Sequence, residues 1–327
     1  MIAPGQGRGA ESPNPAGAWS SIERVWQRAN KPYFIYQPAQ ILRRLGIICA
    51  SKNVGPDIVE IALPWGMPLR LRKHQKLTLE LLRRGVFDLT VSETLFRLTD
   101  PGELAVDVGA NVGHMTSVLA SRVGGDGEVM AFEPHPRIYA DLRVNVAQWR
   151  DLPNAPQISL FELALSSEQG HATLTMDSHF DWNQGSAALA ADRKDDPHAS
   201  TVEVQARRLD DVLGERCVGV LKADVEGFEI EVFKGAQLAL RERRIRDIVF
   251  EDFGDPSTTA EFLAKRGYTV FALDHGLRGL VVEPGTRRAA RRSGEDPSYL
   301  ATCDPDRALD RLRSRGWQTL ARRRNPL

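Results

Sequence analysis

Cysteine is scarce in this 327-residue chain: Cys49, Cys217 and Cys303 are the three present, far apart and odd in number. That spacing argues against a disulfide framework or a zinc knuckle. No apolar run is long enough to cross a bilayer, and the opening MIAPGQGRGAESPNPAG lacks the basic and then apolar regions of a secretion signal. A cytoplasmic location is the expectation. Excess charge is also missing: 43 Lys and Arg balance 43 Asp and Glu, so the field of the whole chain gives no reason to expect nucleic acid or a membrane as partner. The apolar share of 42% is ordinary for a globular chain, and the length suits one well-buried α/β domain with decorated ends.

The charge balance hides an asymmetry. From Gly285 to Leu327 eleven arginines face five acids, which leaves about six positive charges there and about six negative ones before it. The plain reading is a solvated, partly helical tail in which Leu309 and Leu312 pack locally. The functional reading is an electrostatic handle for an acidic partner, a membrane surface or nucleic acid. The tail composition predicts that residues beyond Gly285 are dispensable for folding.

The patterning divides the chain into four segments. Residues 1–18, rich in Gly, Pro and Ala, read as disordered. Residues 19–98 read as a helical and hairpin extension, with short helices between Ser20 and Leu45 broken at Pro32 and Pro38. In the same segment two apolar runs, Ile58 to Leu63 and Pro68 to Leu71, flank Pro64-Trp65-Gly66 as a hairpin would. Helices are expected around Leu77, Leu81 and Leu82, ending near Gly85, and over Ser92 to Leu98. Residues 99–284 carry the main domain, and 285–327 the basic tail.

The main domain alternates apolar strand runs with helical stripes, the signature of a doubly wound, mostly parallel α/β sheet. Strands are expected near 104–108, 128–132, 158–161, 218–223, 246–250, 268–273 and 279–282. Between Arg137 and Trp149, Ile138, Leu142, Val146 and Trp149 share one helical face. Residues 172–207 interrupt the rhythm, with strand-like ends around a long polar stretch that suits an active-site lid.

Ligands of such sheets sit beyond the carboxyl ends of the strands. Those ends carry Asp107, Glu133, Asp224 and Glu251. One strand-end acid is usually a helix cap, whereas four on one rim point to a site for cations, hydroxyls or a proton. The turn from Asp107 to Gly113 has glycines at relative positions 0 and 4, not the 0, 2 and 5 of a dinucleotide fingerprint. A donor with a sulfonium and an amino group, and no pyrophosphate, suits that turn. Glu133 suits a pair of ribose hydroxyls.

The runs AVDVGANVG, AFEPHP, Asn145-Val146, FELALSS, RLDD, LKADVEGFE and VFEDF, in that order, resemble the FkbM family of S-adenosylmethionine-dependent methyltransferases. The resemblance extends from about Gly85 to Asp274, and LKADVEGFE is its most specific block. It implies the Rossmann-like, seven-stranded class I methyltransferase fold with strand order 3-2-1-4-5-7-6, S-adenosyl-L-methionine as cofactor, and O-methylation of a sugar, glycan or natural-product hydroxyl. It also implies that Asp107, Gly109, Asn111 and Gly113 face the methionine part of the donor, with Glu133 and Pro134 at the ribose. Glu162 or Ala164 would lie near the adenine. Asn183, Gly185 and Ser186 resemble a polar patch that would contact the acceptor.

A hydroxyl acceptor must lose a proton to a base within hydrogen-bond reach. Asp224 and Glu226 are the leading candidates, followed by His114 and Glu251. Lys222, inside an apolar strand, is expected to pair with a strand-end acid. Clustered carboxylates also suit Mg²⁺, but no compact ligand motif occurs, so no metal ligands are assigned. Two other functions stay open at this point: an NAD-dependent oxidoreductase, which shares the strand-end acid and glycine turn, and a non-catalytic binding module on the same fold.

Overall fold

The computed structural model of the chain describes residues 30–37, 57–177, 180–183, 198–254, 257–287 and 293–321. The expectations for residues 1–18, for most of Ser20 to Leu45, and for Cys49, Gly185 and Ser186 lie outside the described residues. Pro32 does not break a helix as expected but opens one, α1 (Pro32–Tyr36). At a first turn the missing proline N–H has no intrahelical partner to lose.

The expected hairpin is present as β1 (Ile58–Ala62) and β2 (Pro68–Arg72), paired antiparallel. It is bound to the main domain rather than hanging from it. Trp65, Met67, Leu69 and Leu71 are buried in the main core. Next come α2 (Lys76–Arg84), stopped by Gly85 in the left-handed conformation, and α3 (Leu89–Leu98), buried on every side.

The alternating segment folds as β3 (Leu104–Val108), α4 (His114–Val123), β4 (Glu128–Phe132), α5 (Pro136–Trp149) and β5 (Gln157–Phe161). Asn145 on α5 fastens the hairpin: its side chain accepts from Arg70 N at 2.7 Å and donates to the carbonyls of Arg70 and Val112. The interrupted region forms a separate three-stranded sheet of β6 (Ala164–Leu165), β7 (Gly170–Met176) and β8 (Ser200–Arg207), in the order β6-β8-β7. The chain continues through α6 (Leu209–Leu213), β9 (Val218–Ala223), α7 (Glu229–Lys234), α8 (Gln237–Arg241), β10 (Ile245–Glu251), α9 (Thr258–Ala264), β11 (Thr269–Gly276), β12 (Gly279–Pro284), β13 (Ser298–Thr302) and α10 (Pro305–Leu312).

The central sheet has eight strands in the order β12-β11-β13-β10-β9-β3-β4-β5. Counted from β5 and without the edge strand β12, this is the 3-2-1-4-5-7-6 order of the class I methyltransferase fold. The five strands from β5 to β10 are parallel. Buried on both faces, β3, β4 and β9 read as nearly continuous apolar runs. The seventh strand differs from the sequence expectation. It is Ser298–Thr302, antiparallel to both β10 and β11, while the expected run near 279–282 pairs outside β11 as an eighth strand.

That placement overturns the dispensable tail. All five residues of β13 are buried, and the arginines near it are spent on the core. Arg307 reaches Asp247 at 2.8 Å and Asp100 at 2.6 Å, and Arg311 also pairs with Asp100. The fully buried Glu93 and Arg97 pair on α3 at 2.6 Å. Glu93 further accepts from Gln318 N, Thr319 N and Thr319 Oγ1, and Arg97 donates to the carbonyls of Ser314 and Gly316. A short, fully buried run inside an arginine-rich stretch gives composition nothing to detect.

A chain ending at Gly285 should therefore fail to fold, because β10 and β11 lose the strand between them. Glu93→Ala should destabilise the intact chain by about 3–5 kcal/mol in urea unfolding, the usual cost of breaking a buried ion pair from one side. A soluble truncated chain with an unchanged melting temperature would contradict this.

Candidate functional site

The carboxyl ends of β3, β4, β9 and β10 border a cavity of about 170 Å³. Its base is a cross-strand pair. Asp107 and Lys222 stand opposite each other in the β3–β9 register, both buried. The ammonium lies 3.4 Å from Asp107 Oδ1, an ion pair without hydrogen-bond geometry, and 3.4 Å from Asp224 Oδ2. It also donates to the carbonyl of Gly109 at 2.9 Å. Burial alone would pull the lysine pKa down, but Asp224 and Asp107 outweigh it and hold the pKa above its ordinary value.

The second oxygen of Asp107 accepts from Thr116 Oγ1 at 2.6 Å, and the buried carboxylate, expected to face the donor, is not among the residues that line the cavity. Gly109 and Gly113 have different tasks. At Gly109 (φ +75°) a Cβ would collide with the Asp224 carbonyl oxygen, so this turn approaches the β9 end as only glycine can. At Gly113 (φ +100°) a Cβ would meet Leu142 at 2.9 Å and Trp149 at 3.0 Å. Gly113 serves helix packing and does not line the cavity. Glu162 is exposed and also lies outside the lining.

Gly109, Asn111, Glu133, Pro134 and Ala164 do line the cavity. Glu133 is held by two backbone donors, Asn111 N and His135 N, each at 2.9 Å. Asn111 takes a left-handed φ of 50°, which asparagine tolerates, and its own side chain accepts from Val112 N at 2.7 Å. Burial pushes the Glu133 pKa up to about 7, against the pull of those two N–H groups and Lys222.

All four candidate bases line the cavity. His114 differs from the rest. Burial first, and Lys222 second, drop its pKa to about 3, so the ring is neutral and a weak proton acceptor at neutral pH. Its Nε2 accepts from Phe87 N at 3.5 Å, and its buried Nδ1 has no hydrogen-bond partner among the described residues. The proton of the neutral ring therefore sits on Nδ1. A ring that stays neutral down to about pH 3 makes His114 a weaker base than the carboxylates around it.

The acids reach beyond the four strand ends. Asp296, from the segment before β13, lines the cavity beside Asp224, Glu226 and Glu251. Burial, then Asp224, Asp88 and Asp296, hold the Glu251 carboxyl well above the usual range. Asp88 is raised likewise by burial and by Glu295. Sequence reading missed Asp88 and Asp296, which are local cap and loop acids with no strand-end signal. It also missed Glu229, which accepts from Val225 N and Gly227 N and so shapes the turn carrying Asp224 and Glu226. Glu226 is strained there at φ 55°. Asn183 lines the cavity with Trp182.

The lining mixes two chemistries: Pro134, Ile138, Leu163, Ala164 and Leu174 contribute apolar surface, and Asp224, Glu226, Glu251, Asp296, Lys222 and Glu133 contribute charge. That combination suits S-adenosylmethionine: apolar surface for the base, a fixed carboxylate for ribose hydroxyls, and acids for the sulfonium and amino charges. Among the described residues no group of three His, Cys, Asp or Glu side chains is arranged to hold a metal ion, so Mg²⁺ finds no support.

A family model, the Methyltransferase FkbM domain, matches residues 107–270. The chain belongs to the FkbM methyltransferase family. It is 30% identical over 201 residues to the 31-O-demethyl-FK506 methyltransferase FkbM of Streptomyces tacrolimicus, covering 53% of this chain and 75% of that one. It is 27% identical over 187 residues to Methyltransferase 1 of Beauveria bassiana, covering 50% and 72%. A third match, 27% over 258 residues, is to the AMB antimetabolite synthetase AmbE of Pseudomonas aeruginosa, where 68% of this chain spans only 11% of that protein. Among solved structures, Methyltransferase FkbM from Methylobacillus flagellatus KT aligns with TM-score 0.39 and 16% identity over 62% of this chain and 43% of that one. The family match and the curated relatives support methyl transfer as the class of reaction and do not favour the oxidoreductase or the non-catalytic module. No described helix is long and apolar enough to cross a membrane.

If Glu133 accepts hydrogen bonds from the donor, binding favours its ionised form. S-adenosylmethionine affinity should then fall as pH drops through about 7, and Glu133→Gln should flatten that dependence in calorimetric titrations. A pH profile identical in wild type and variant would remove Glu133 from the donor site.

Proposed function

We propose that this chain is an S-adenosylmethionine-dependent O-methyltransferase acting on a hydroxyl of a sugar, glycan or natural product. The observation that carries the reading is one cavity onto which Glu133, the Lys222–Asp224 pair and a set of apolar side chains all open. S-adenosylmethionine supplies an electrophilic methyl on a good leaving group, so in-line positioning of the acceptor accounts for much of the acceleration. Gly109, Asn111, Glu133 and Pro134 would hold the donor, with Ala164 at its apolar end.

The protein's remaining task is the acceptor proton. As the methyl–oxygen bond forms and the methyl–sulfur bond breaks, the hydroxyl proton passes to a carboxylate, leaving a neutral thioether and a methyl ether. Asp224 is favoured for this step. It is partly exposed and rests against Lys222 at 3.4 Å, while burial and neighbouring acids keep the Glu251 carboxyl protonated over a wider pH range. Glu226, on the same turn, is the second candidate. Asn183 would touch the acceptor, and Ser186 is proposed beside it from the family resemblance alone.

Labelled S-adenosylmethionine offered with a panel of glycans and polyketides tests the activity directly. With an accepted substrate, Asp224→Asn should lower turnover by ~10²–10⁴-fold while donor affinity is retained. Chelator should leave the rate unchanged. Full turnover in both Asp224→Asn and Glu226→Gln would show these acids to be structural, and loss of activity with chelator, restored by Mg²⁺, would show that they hold a metal.

A further inference from the structure

A second concavity of about 920 Å³, which shares no lining residue with the strand-end cavity, lies on the helical surface, and its lining is strongly basic. Arg208, Lys234, Arg241, Lys265 and Arg266 contribute five cations, and among the described residues no carboxylate lines it. Three of these cations are engaged from the side: Arg208 with buried Asp210 at 3.3 Å, Lys234 with Glu231 at 2.6 Å, and Arg241 with Glu242 at 3.8 Å. Asp210 is itself occupied, accepting from Leu238 N and Ala239 N at 2.9 Å. Lys265 and Arg266 pair with no carboxylate among the described residues. Arg266 lies instead over the Phe262 ring, 3.3 Å from its centroid, and donates to the Phe262 carbonyl. Within this basic frame Leu238 is 42% exposed.

We propose that this groove docks an acidic segment of a partner protein, with Leu238 receiving an apolar side chain from it. The cations line the walls of a broad groove, so a single phosphate would meet only a fraction of them, whereas an extended or helical acidic segment can meet several in register. Among the described residues no aromatic side chain lines the groove, so these residues supply no stacking platform of the kind single-stranded nucleic acid uses. The exposed leucine among the cations adds apolar area that a partner's side chain can cover. The groove also adjoins the strand-end cavity along the chain: Leu165 lines the cavity, and Ser167, two residues on, lines the groove. A docked partner would thus sit beside the three-stranded sheet that gives the cavity Ala164, Leu165 and Leu174.

A fluorescein-labelled synthetic peptide of glutamates with spaced leucines serves as probe, read by anisotropy against the full chain. The peptide should bind, and the Lys265→Glu/Arg266→Glu double variant should weaken it at least about tenfold, while Arg313→Glu/Arg315→Glu, which reverses two exposed cations elsewhere, leaves it unchanged. Lys265→Gln/Arg266→Gln should lower affinity in the same direction to a smaller extent, and Leu238→Asp should weaken binding without touching a cation. Retained S-adenosylmethionine affinity in each variant reports an intact fold. Equal losses in the groove and control variants would overturn the proposal. So would displacement of the peptide by millimolar inorganic phosphate at constant ionic strength, or a labelled oligothymidylate binding as tightly as the peptide.

Discussion

The site depends on one buried cation. Lys222 sits in the middle of the parallel sheet, opposite Asp107 on β3, with Asp224 just beyond it at the end of its own strand. A lone ammonium in that position would be costly, and so would a lone Asp107. Together, with the Gly109 carbonyl and Thr116 completing their contacts, they fix the first and fourth strands at the point where the ligand cavity opens. The close approach of Gly109 to the Asp224 carbonyl belongs to the same crossing. The acid turned to the cavity is thus anchored by a cation shared with an acid that never reaches it.

From that anchor the chemistry divides among the strand ends. The β4 end supplies a carboxylate tied by two backbone donors, the β5 side supplies apolar walls, and the β9 and β10 ends supply the acids. Asp296 arrives from the C-terminal segment and Asp88, which raises the Glu251 pKa, from the N-terminal one. Both ends of the chain therefore shape the acidic part of the cavity. Glu295, beside Asp296, accepts from Leu89 N, Thr90 N and Thr90 Oγ1 and so joins the two segments directly.

Much of this was legible in the sequence because it lies on period-two and strand-end signals. The runs LAVDV, EVMAF and VGVLKA must be buried on both faces, and a ligand must meet the residues at their carboxyl ends, so Glu133, Asp224 and Glu251 could be placed without coordinates. The features that escaped depend on packing. Gly109 and Gly113 look alike in the sequence, yet one faces the end of β9 and the other faces Leu142 and Trp149. His114 looks like a base until burial lowers its pKa to about 3. SYLAT at 298–302 is too short to outweigh eleven arginines around it, although its position between β10 and β11 makes it as central as any other strand. Asn145 reads as a helical residue, and only the fold reveals that it fastens the hairpin.

The central claim is that the strand-end cavity receives a methyl donor. Calorimetric titration of the intact chain with S-adenosylmethionine, S-adenosylhomocysteine and NAD tests it most directly. The account predicts saturable one-site binding of the first two ligands and no heat from NAD beyond dilution. Binding of NAD, or no binding of either sulfur compound, would contradict it.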